Sequence, residues 1–166
     1  STSSNYNKSI NEFYKLKKNT NIIKIFKSIE SFSKESEIRY VGGCVRKILT
    51  QEKIDDIDLA TNIKPQDVIK VLKNNNINYY ETGIDHGTVT AIIENEKFEI
   101  TSLRSDIFTD GRHAKVEFTN DWIKDAERRD FTINAIYADL NGNLFDPFNG
   151  VNDLKNAKVV FVGDAE

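Results

Sequence analysis

Residues 41–61 read VGGCVRKILTQEKIDDIDLAT and predict a strand, a glycine turn, a short helix and a second strand in succession. Gly42 and Gly43 occupy the turn, and Arg46 lies on the helix. Glycine lets a backbone approach an oxyanion closely, and the N–H groups of a first helical turn point at such a ligand. The turn is therefore a candidate phosphate cradle.

The second strand carries Asp56 and Asp58, which as residues i and i+2 of a strand point to the same face. Their hard carboxylate oxygens suit Mg²⁺, which commonly binds one or two carboxylates together with substrate phosphate. Each feature alone has an ordinary explanation, since Gly-Gly pairs are frequent in turns and Asp-x-Asp is frequent on exposed strand faces. Together they indicate nucleotidyl or phosphoryl transfer.

The composition of the chain is that of a soluble globular protein. Of its 166 residues, 39% are hydrophobic and 30% are charged. This length is enough for one domain with a hydrophobic core. We expect a disordered end over residues 1–9 and one domain over residues 10–164. No stretch has the apolar length that spans a bilayer and no signal peptide is apparent, so we expect a cytoplasmic setting and no membrane partner.

The single cysteine, Cys44, excludes an internal disulfide and fits a reducing compartment. We interpret it as a small filler at a tight turn rather than as a reactive thiol. The net charge of −3, from 23 basic and 26 acidic residues, is unlike that of a complete nucleic-acid-binding protein. If the substrate is RNA, most phosphate contacts lie outside this sequence.

Periodicity predicts two helices between residues 10 and 33, interrupted at residues 19–21, whose apolar stripes cover the back of a sheet. Beyond them we predict a polar loop over 103–120 with a short strand near 116–118. We predict the other helices over 45–49, 65–73, 121–129, 132–138 and 151–156, and strands over 38–41, 54–61, 78–82, 87–94, 96–102, 143–145 and 158–162.

Alternation along residues 98–102 places Glu99 on the face opposite Phe98 and Ile100. If this strand lies beside the aspartate strand, Glu99 is a candidate third carboxylate of the site. It would then bind metal or orient a neighbour, and the alternative is an exposed strand glutamate.

The order and spacing of several motifs resemble one family over about residues 38–164. GG-x-VR and DIDLAT are followed by HGTVTAI, FEITSLR, DGRHAKVEFT, RRDFTINAIYAD and DPFNGVNDL, which occupy residues 86–92, 98–104, 110–119, 128–139 and 146–154. The set is similar to class II tRNA nucleotidyltransferases (CCA-adding enzymes) and bacterial poly(A) polymerases, within the polymerase-β-like nucleotidyltransferase superfamily. The resemblance implies an α/β (α+β) fold with a mixed, mostly antiparallel sheet and helices packed on one side. It also implies a catalytic head without the family's neck, body and tail.

The resemblance further implies roles for individual residues. Asp56 and Asp58 would hold two Mg²⁺ ions, and the acidic residue Glu99 would lie close to them. Gly42, Gly43 and Arg46 would anchor phosphate. Nucleotide binding would fall to a second group in RRDFTINA, namely Arg129, Asp130 and Asn134.

Two of these assignments have competing interpretations. An Arg–Asp pair that locks the turn at residues 128–130 to the sheet is the structural alternative for Arg129. The loop with Arg112, His113 and Lys115 would meet phosphates or RNA, or would be a solvated surface. Lys47 is a departure, since the family commonly has aspartate after the loop arginine.

The implied reaction is attack by an RNA 3′-hydroxyl on the α-phosphorus of an NTP. Within the family we favour addition of C and A nucleotides from CTP and ATP to the 3′ end of tRNA. The alternatives are a poly(A) polymerase or A-adding enzyme, a catalytically inactive nucleotide-binding regulatory module, and an aminoglycoside-type transferase acting on a small molecule. The oligomeric state is open.

Overall fold

The computed structural model describes residues 2–109 and 113–164, and in chain order it contains six α-helices and nine strands within those ranges. They are α1 (Thr2–Lys17), α2 (Thr20–Glu30), β1 (Ile38–Val41), α3 (Gly43–Thr50), β2 (Ile57–Thr61), α4 (Pro65–Asn74), β3 (Asn78–Gly83), β4 (Thr88–Ile93), β5 (Glu96–Ser102), β6 (Arg104–Thr109), β7 (His113–Phe118), α5 (Trp122–Glu127), β8 (Tyr137–Ala138), β9 (Leu144–Phe145) and α6 (Gly150–Lys155). Single 3₁₀ turns occupy Ile84–His86 and Thr132–Asn134.

Seven strands form one sheet in the order β3-β4-β5-β2-β1-β8-β9. Only the β2–β5 pair is parallel among these neighbours, so the predicted mixed, mostly antiparallel sheet is confirmed. Strands β6 and β7 form a separate antiparallel hairpin. The sheet therefore places β2, which carries the candidate aspartates, at its centre.

Successive residues of the central strands feed two different cores. Tyr40 and Leu59 face the larger core, where α1, α2, α3 and α4 cover the sheet, as predicted for the first two helices. Their neighbours Val41 and Ala60 face a smaller core with Trp122 of α5. Because strand side chains alternate between faces, each strand serves both layers. Most helices thus lie on one side, and α5 is added on the other.

The start of the chain differs from the prediction. Residues 1–9 were predicted to be disordered, but α1 runs from Thr2, so the helix begins well before Ile10. Phe13 of this helix is buried and its ring lies 5.9 Å from that of Tyr40. The predicted break is correct, because the Asn19 side chain caps α2 by accepting hydrogen bonds from the N–H groups of Asn21 and Ile22.

Three further predictions of secondary structure are wrong. The polar loop over 103–120 contains the β6–β7 hairpin. The helix predicted over 132–138 is a 3₁₀ turn followed by β8, because residues 137 and 138 pair with β1 and β9. The strand predicted over 158–162 has only a single bridge, between Phe131 and Phe161. In the described part of the chain no helix has the length and apolarity needed to cross a membrane.

Candidate active site

The glycine turn joins the end of β1 to the start of α3. Gly42 has φ +69° and ψ −131°, a conformation that residues with a Cβ rarely adopt. No side chain caps the helix, and the Gly42 carbonyl already accepts the N–H of Arg46 at 3.0 Å. No atom lies within 4 Å of where a Cβ on Gly43 would be. Gly42 and Gly43 both line the cleft, and the Cβ side of Gly43 at the start of α3 is open, which leaves room for a phosphate at this helix start.

The candidate carboxylates lie beside this turn on two adjacent strands. Asp58 in β2 is paired in register with Glu99 in the parallel strand β5, so the condition for a third carboxylate is met. Asp56 directly precedes β2 rather than lying within the predicted strand. Burial, then the Glu99 carboxylate, then the charge of Asp56 raise the pKa of Asp58 from 3.8 to about 7. The positive charge of Arg129 acts in the opposite direction.

This carboxylate group fits a divalent cation. Among the described residues, Asp56, Asp58 and Glu99 form no ion pair. No lysine or arginine in contact with them therefore neutralises their mutual repulsion. A cation would remove the repulsion that raises the pKa of Asp58. Within residues 2–109 and 113–164, however, no three His, Cys, Asp or Glu side chains are grouped closely enough to hold a metal by themselves. Substrate oxygens would have to complete such a site.

Arg46 reaches from α3 across the cleft to the second predicted group. Its Nη1 donates to Asn134 Oδ1 at 3.1 Å, and Asn134 Nδ2 donates to Asp130 Oδ1 at 3.1 Å. Asn134 belongs to a 3₁₀ turn and not to the helix predicted over 132–138, and from this turn it contacts Asp130. Slight burial acts to raise the pKa of Asp130, but the hydrogen bonds from Asn134 and the Phe131 N–H outweigh it. The pKa of Asp130 is therefore below its ordinary value. Asp130 therefore remains an anion at neutral pH.

Arg128 and Arg129 are held by Asp125, which the sequence analysis did not single out. Arg128 Nε donates to Asp125 Oδ1 and Arg129 Nη2 donates to Asp125 Oδ2, both at 3.1 Å. Each of these hydrogen bonds joins opposite charges, so each arginine forms an ion pair with Asp125. The Arg–Asp pair foreseen as a structural alternative therefore exists, with Asp125 as its acid. Arg129 nevertheless also lines the cleft, so the two interpretations are compatible.

One cleft collects most of these groups. Its walls carry the glycine turn, Asp58 and several basic or polar side chains: Arg46, His86, Arg104, Arg128, Arg129, Asp130 and Asn134. Asp56 and Glu99 are exposed residues beside Asp58 and are not part of that wall. Arg112 lies outside the described residues.

Arg104 and His86 are cleft residues that the sequence analysis missed as functional candidates. Arg104 Nη1 lies 3.2 Å from His86 Nδ1, and its Nε is buried without a partner in the described structure. A signal was available, because Arg104 ends the FEITSLR motif at the point where β5 leaves the sheet. Buried polar atoms usually have partners, so this Nε–H is a donor still available for a hydrogen bond.

Two residues of the turn and helix have structural explanations. Lys47 Nζ pairs with Asp55 Oδ2 at 3.2 Å, so its charge is directed to the segment before β2 and away from Arg46. Burial raises the pKa of the Cys44 thiol to about 11. A thiol that stays protonated at neutral pH is a poor nucleophile, which supports the interpretation of Cys44 as a filler.

The two adjacent glycines allow a matched prediction. We expect Gly42→Ala to lower the free energy of unfolding by about 2 kcal/mol, because the backbone conformation at Gly42 disfavours any Cβ. We expect Gly43→Ala to change it by no more than about 0.5 kcal/mol but to weaken nucleotide binding, since its methyl group would enter the open space before α3. Urea denaturation and a nucleotide titration measure the two effects. Equal losses of stability in the two variants would contradict this account of the turn.

The seven-stranded sheet, the glycine turn and the neighbouring acidic residues define the class of the chain as a nucleotidyltransferase head domain. Residues 38–160 match the family model described as the poly A polymerase head domain, which covers more than half of the sequence. The chain therefore belongs to the poly A polymerase head-domain family.

Individual relatives agree with this assignment. The chain is 52% identical over 139 residues to human "CCA tRNA nucleotidyltransferase 1, mitochondrial", a match that covers 82% of this chain and 32% of the human protein. It is 40% identical over 132 residues to the CCA-adding enzyme of Lactobacillus johnsonii, with 78% of this chain and 32% of that protein covered. The chain spans about a third of the length of these curated relatives.

A solved structure has the same fold. The crystal structure of the Bacillus stearothermophilus CCA-adding enzyme in complex with CTP matches with a TM-score of 0.72 and 31% identity. The match covers 84% of this chain and 32% of that chain. The predicted family and fold class are thus confirmed.

Proposed function

We propose that this chain is the nucleotide-binding and catalytic head of an enzyme that adds C and A nucleotides to the 3′ end of tRNA, with CTP and ATP as substrates. The observation that carries the proposal is the position of Asp58. It lies beside Glu99 on the central strands and lines a cleft that also contains an uncapped glycine turn and several arginines. The names of the human and Lactobacillus relatives support tRNA and CCA addition, and the CTP complex of the Bacillus enzyme supports the nucleotide.

In the proposed reaction the 3′-hydroxyl oxygen of the RNA forms a bond to the α-phosphorus of the NTP. The bond between the α-phosphorus and the bridging oxygen breaks, and pyrophosphate leaves. The N–H groups of the glycine turn and the Arg46 guanidinium would bind the triphosphate, for which backbone donors and planar arginines are suited. Arg129, whose Nη1 is 3.8 Å from where a Cβ on Gly42 would lie, would add a second guanidinium.

Asp130 and Asn134 would act on the same nucleotide in a different way. Asn134 links Arg46 to Asp130 through hydrogen bonds of 3.1 Å at each step, so the three side chains form one connected row. The row fixes the Arg46 guanidinium relative to the 3₁₀ turn, and Asp130 keeps a free acceptor for a nucleotide hydroxyl or amine. Catalysis on this model comes chiefly from positioning and charge stabilisation.

We propose that Asp56 and Asp58 hold two Mg²⁺ ions, with Glu99 as a neighbour that binds or orients. When bound, such ions supply a lowered pKa for the attacking hydroxyl and charge stabilisation for the leaving group. The un-neutralised carboxylates described above support this assignment, and Arg112 remains a candidate contact for RNA or phosphate. The cytoplasmic setting remains a prediction, and the human relative is named as a mitochondrial protein.

The test is made on the full-length protein that contains this sequence. It receives tRNA lacking its 3′ end, Mg²⁺, and CTP, ATP or both, and the products are resolved at single-nucleotide resolution. We expect ordered addition of two C residues and one A. Addition of A alone would favour an A-adding enzyme or poly(A) polymerase, and absence of incorporation with either nucleotide would favour a regulatory nucleotide-binding module.

A further inference from the structure

Asp125 accepts more hydrogen bonds than any other carboxylate among the described residues. Its side chain is 1% exposed and lies on α5, directly behind the cleft wall. Oδ1 accepts hydrogen bonds from Arg128 Nε and the Arg104 backbone N–H, both at 3.1 Å. Oδ2 accepts from Arg129 Nη2 at 3.1 Å and from the Tyr137 hydroxyl at 2.6 Å. Four donors therefore fill the acceptor positions of one carboxylate.

These contacts keep Asp125 ionised. Burial alone raises the pKa of Asp125, but the charges of Arg129 and Arg128 and the hydrogen bonds from Tyr137 and Arg104 outweigh it, so the pKa is lowered. A buried anion that forms four hydrogen bonds is geometrically constrained, because moving any donor leaves the buried charge with one hydrogen bond fewer. Asp125 thus joins α5, the start of β6 and β8 at one point.

The arrangement leaves one side of Arg129 free. Its Nε donates to the Tyr137 hydroxyl at 3.2 Å and its Nη2 to Asp125, and Tyr137 in turn donates to Asp125. The remaining nitrogen, Nη1, has no hydrogen bond in the described structure and is 3.8 Å from where a Cβ on Gly42 would lie. Three groups therefore form a closed ring of hydrogen bonds that directs Nη1 at the glycine turn.

We infer that Asp125 and Tyr137 are positioning residues for nucleotide binding, which aim the Arg129 guanidinium at the triphosphate bound by the glycine turn. The inference rests on the proposed function. Asp125 does not line the cleft and would act through Arg129. Arg128 and Arg129 share the single negative charge of Asp125, so the three side chains together keep a net positive charge. This net charge favours a polyanionic ligand.

The variant Asp125→Asn separates positioning from simple charge. Asparagine has the same shape, but its amide nitrogen cannot accept a hydrogen bond, so two of the four donors lose their partner in either amide orientation. If only charge mattered, removing a negative group near Arg129 would tighten the binding of a polyanion. If Asp125 positions Arg129, binding weakens despite the more positive site. The two accounts therefore predict opposite signs.

The experiment uses the full-length protein and titrates it with CTP and, separately, with inorganic tripolyphosphate, in Mg²⁺ buffer. We expect Asp125→Asn to weaken both ligands roughly 10-fold, and Tyr137→Phe to weaken them by about 3-fold with little loss of fold. In steady state KM should rise more than kcat falls. The matched control is Asp139→Asn, which in either amide orientation loses at least one of the three hydrogen bonds in its own turn, contacts no arginine among the described residues and does not line the cleft.

The outcomes are distinct. Weaker binding in both Asp125→Asn and Tyr137→Phe, with Asp139→Asn unchanged, supports the inference. Unchanged or tighter binding in Asp125→Asn overturns it and leaves the proposed function intact. If Asp125→Asn does not fold, Tyr137→Phe decides in the same way. A wild-type protein that binds neither CTP nor tripolyphosphate overturns the proposed function and, with it, the positioning role.

Discussion

Replacing Asp58 with asparagine is expected to lower nucleotide incorporation by the full-length protein about 10³-fold, while the fold is retained. Asparagine fills the same volume on β2 but removes the charge that would bind a cation beside Glu99. The readout is the rate of label transfer from CTP to the truncated tRNA.

Stability should change in the opposite direction from activity. The folded-state pKa of Asp58 is about 7, well above its ordinary value of 3.8, so the folded chain binds a proton more tightly than the unfolded chain. Without a divalent cation the stability of the wild type should therefore fall as pH rises from about 4 to 7. Asp58→Asn removes this dependence, so the variant should be at least as stable as the wild type at pH 8.

The control for this prediction is Asp55→Asn. Asp55 lies three residues before Asp58 and pairs with Lys47 on the surface, so its loss should cost little stability and leave incorporation near the wild-type rate. If Asp58→Asn kept a wild-type rate, or if Asp55→Asn were equally inactive, the assignment of the carboxylates would be wrong. Glu99→Gln then separates the open roles of Glu99, since a ligand would be needed for activity and an exposed strand residue would not.

The relation between Asp58 and Glu99 also shows what sequence reasoning reaches and where it stops. Alternation along β5 correctly predicted the face of Glu99, but its neighbour depends on the parallel pairing of β2 with β5 across an intervening helix and two strands. Such long-range pairing leaves no local pattern. The ordered motifs indicated this pairing only through the family resemblance, which implies a complete fold.

The burial of Asp125 was also not predictable from the sequence. Asp125 lies on α5 at the i, i+4 spacing from Arg129, and this helix falls within the helical segment predicted over 121–129, so the pair itself was accessible to a sequence argument. Its importance comes from Tyr137, which was predicted on a helix and lies instead on β8. Residues 132–138 have an apolar spacing that fits a helix, but pairing with β1 at the sheet prevails over local preference.

Gly150→Ala is expected to destabilise the chain by about 3 kcal/mol, the largest loss among the glycine substitutions considered. A Cβ at Gly150 would collide with the backbone carbonyl of Thr132 and would also lie only 2.9 Å from Ile136 Cγ1. A backbone atom cannot rotate away as the end of a flexible side chain can. Either α6 or the 3₁₀ turn would have to move.

Movement of that turn connects stability with the site. Thr132 begins the 3₁₀ turn that carries Asn134, and its hydroxyl donates to Asp153 of α6 at 2.6 Å. Displacing the turn would separate Asn134 from Arg46, so we expect weaker nucleotide binding at temperatures where the variant is still folded. Thermal denaturation should show a midpoint lowered by about 10 °C for a chain of this size.

Gly163→Ala is the matched control for Gly150→Ala. Gly163 has φ +97° but no atom within 4 Å of where its Cβ would lie, so the variant carries backbone strain without a collision and should lose only about 1 kcal/mol. Equal losses at the two positions would mean that contact with Thr132 is not what requires glycine. A Gly150→Ala variant with normal stability would mean that α6 can shift without cost, and the close contact would then not be what positions Asn134.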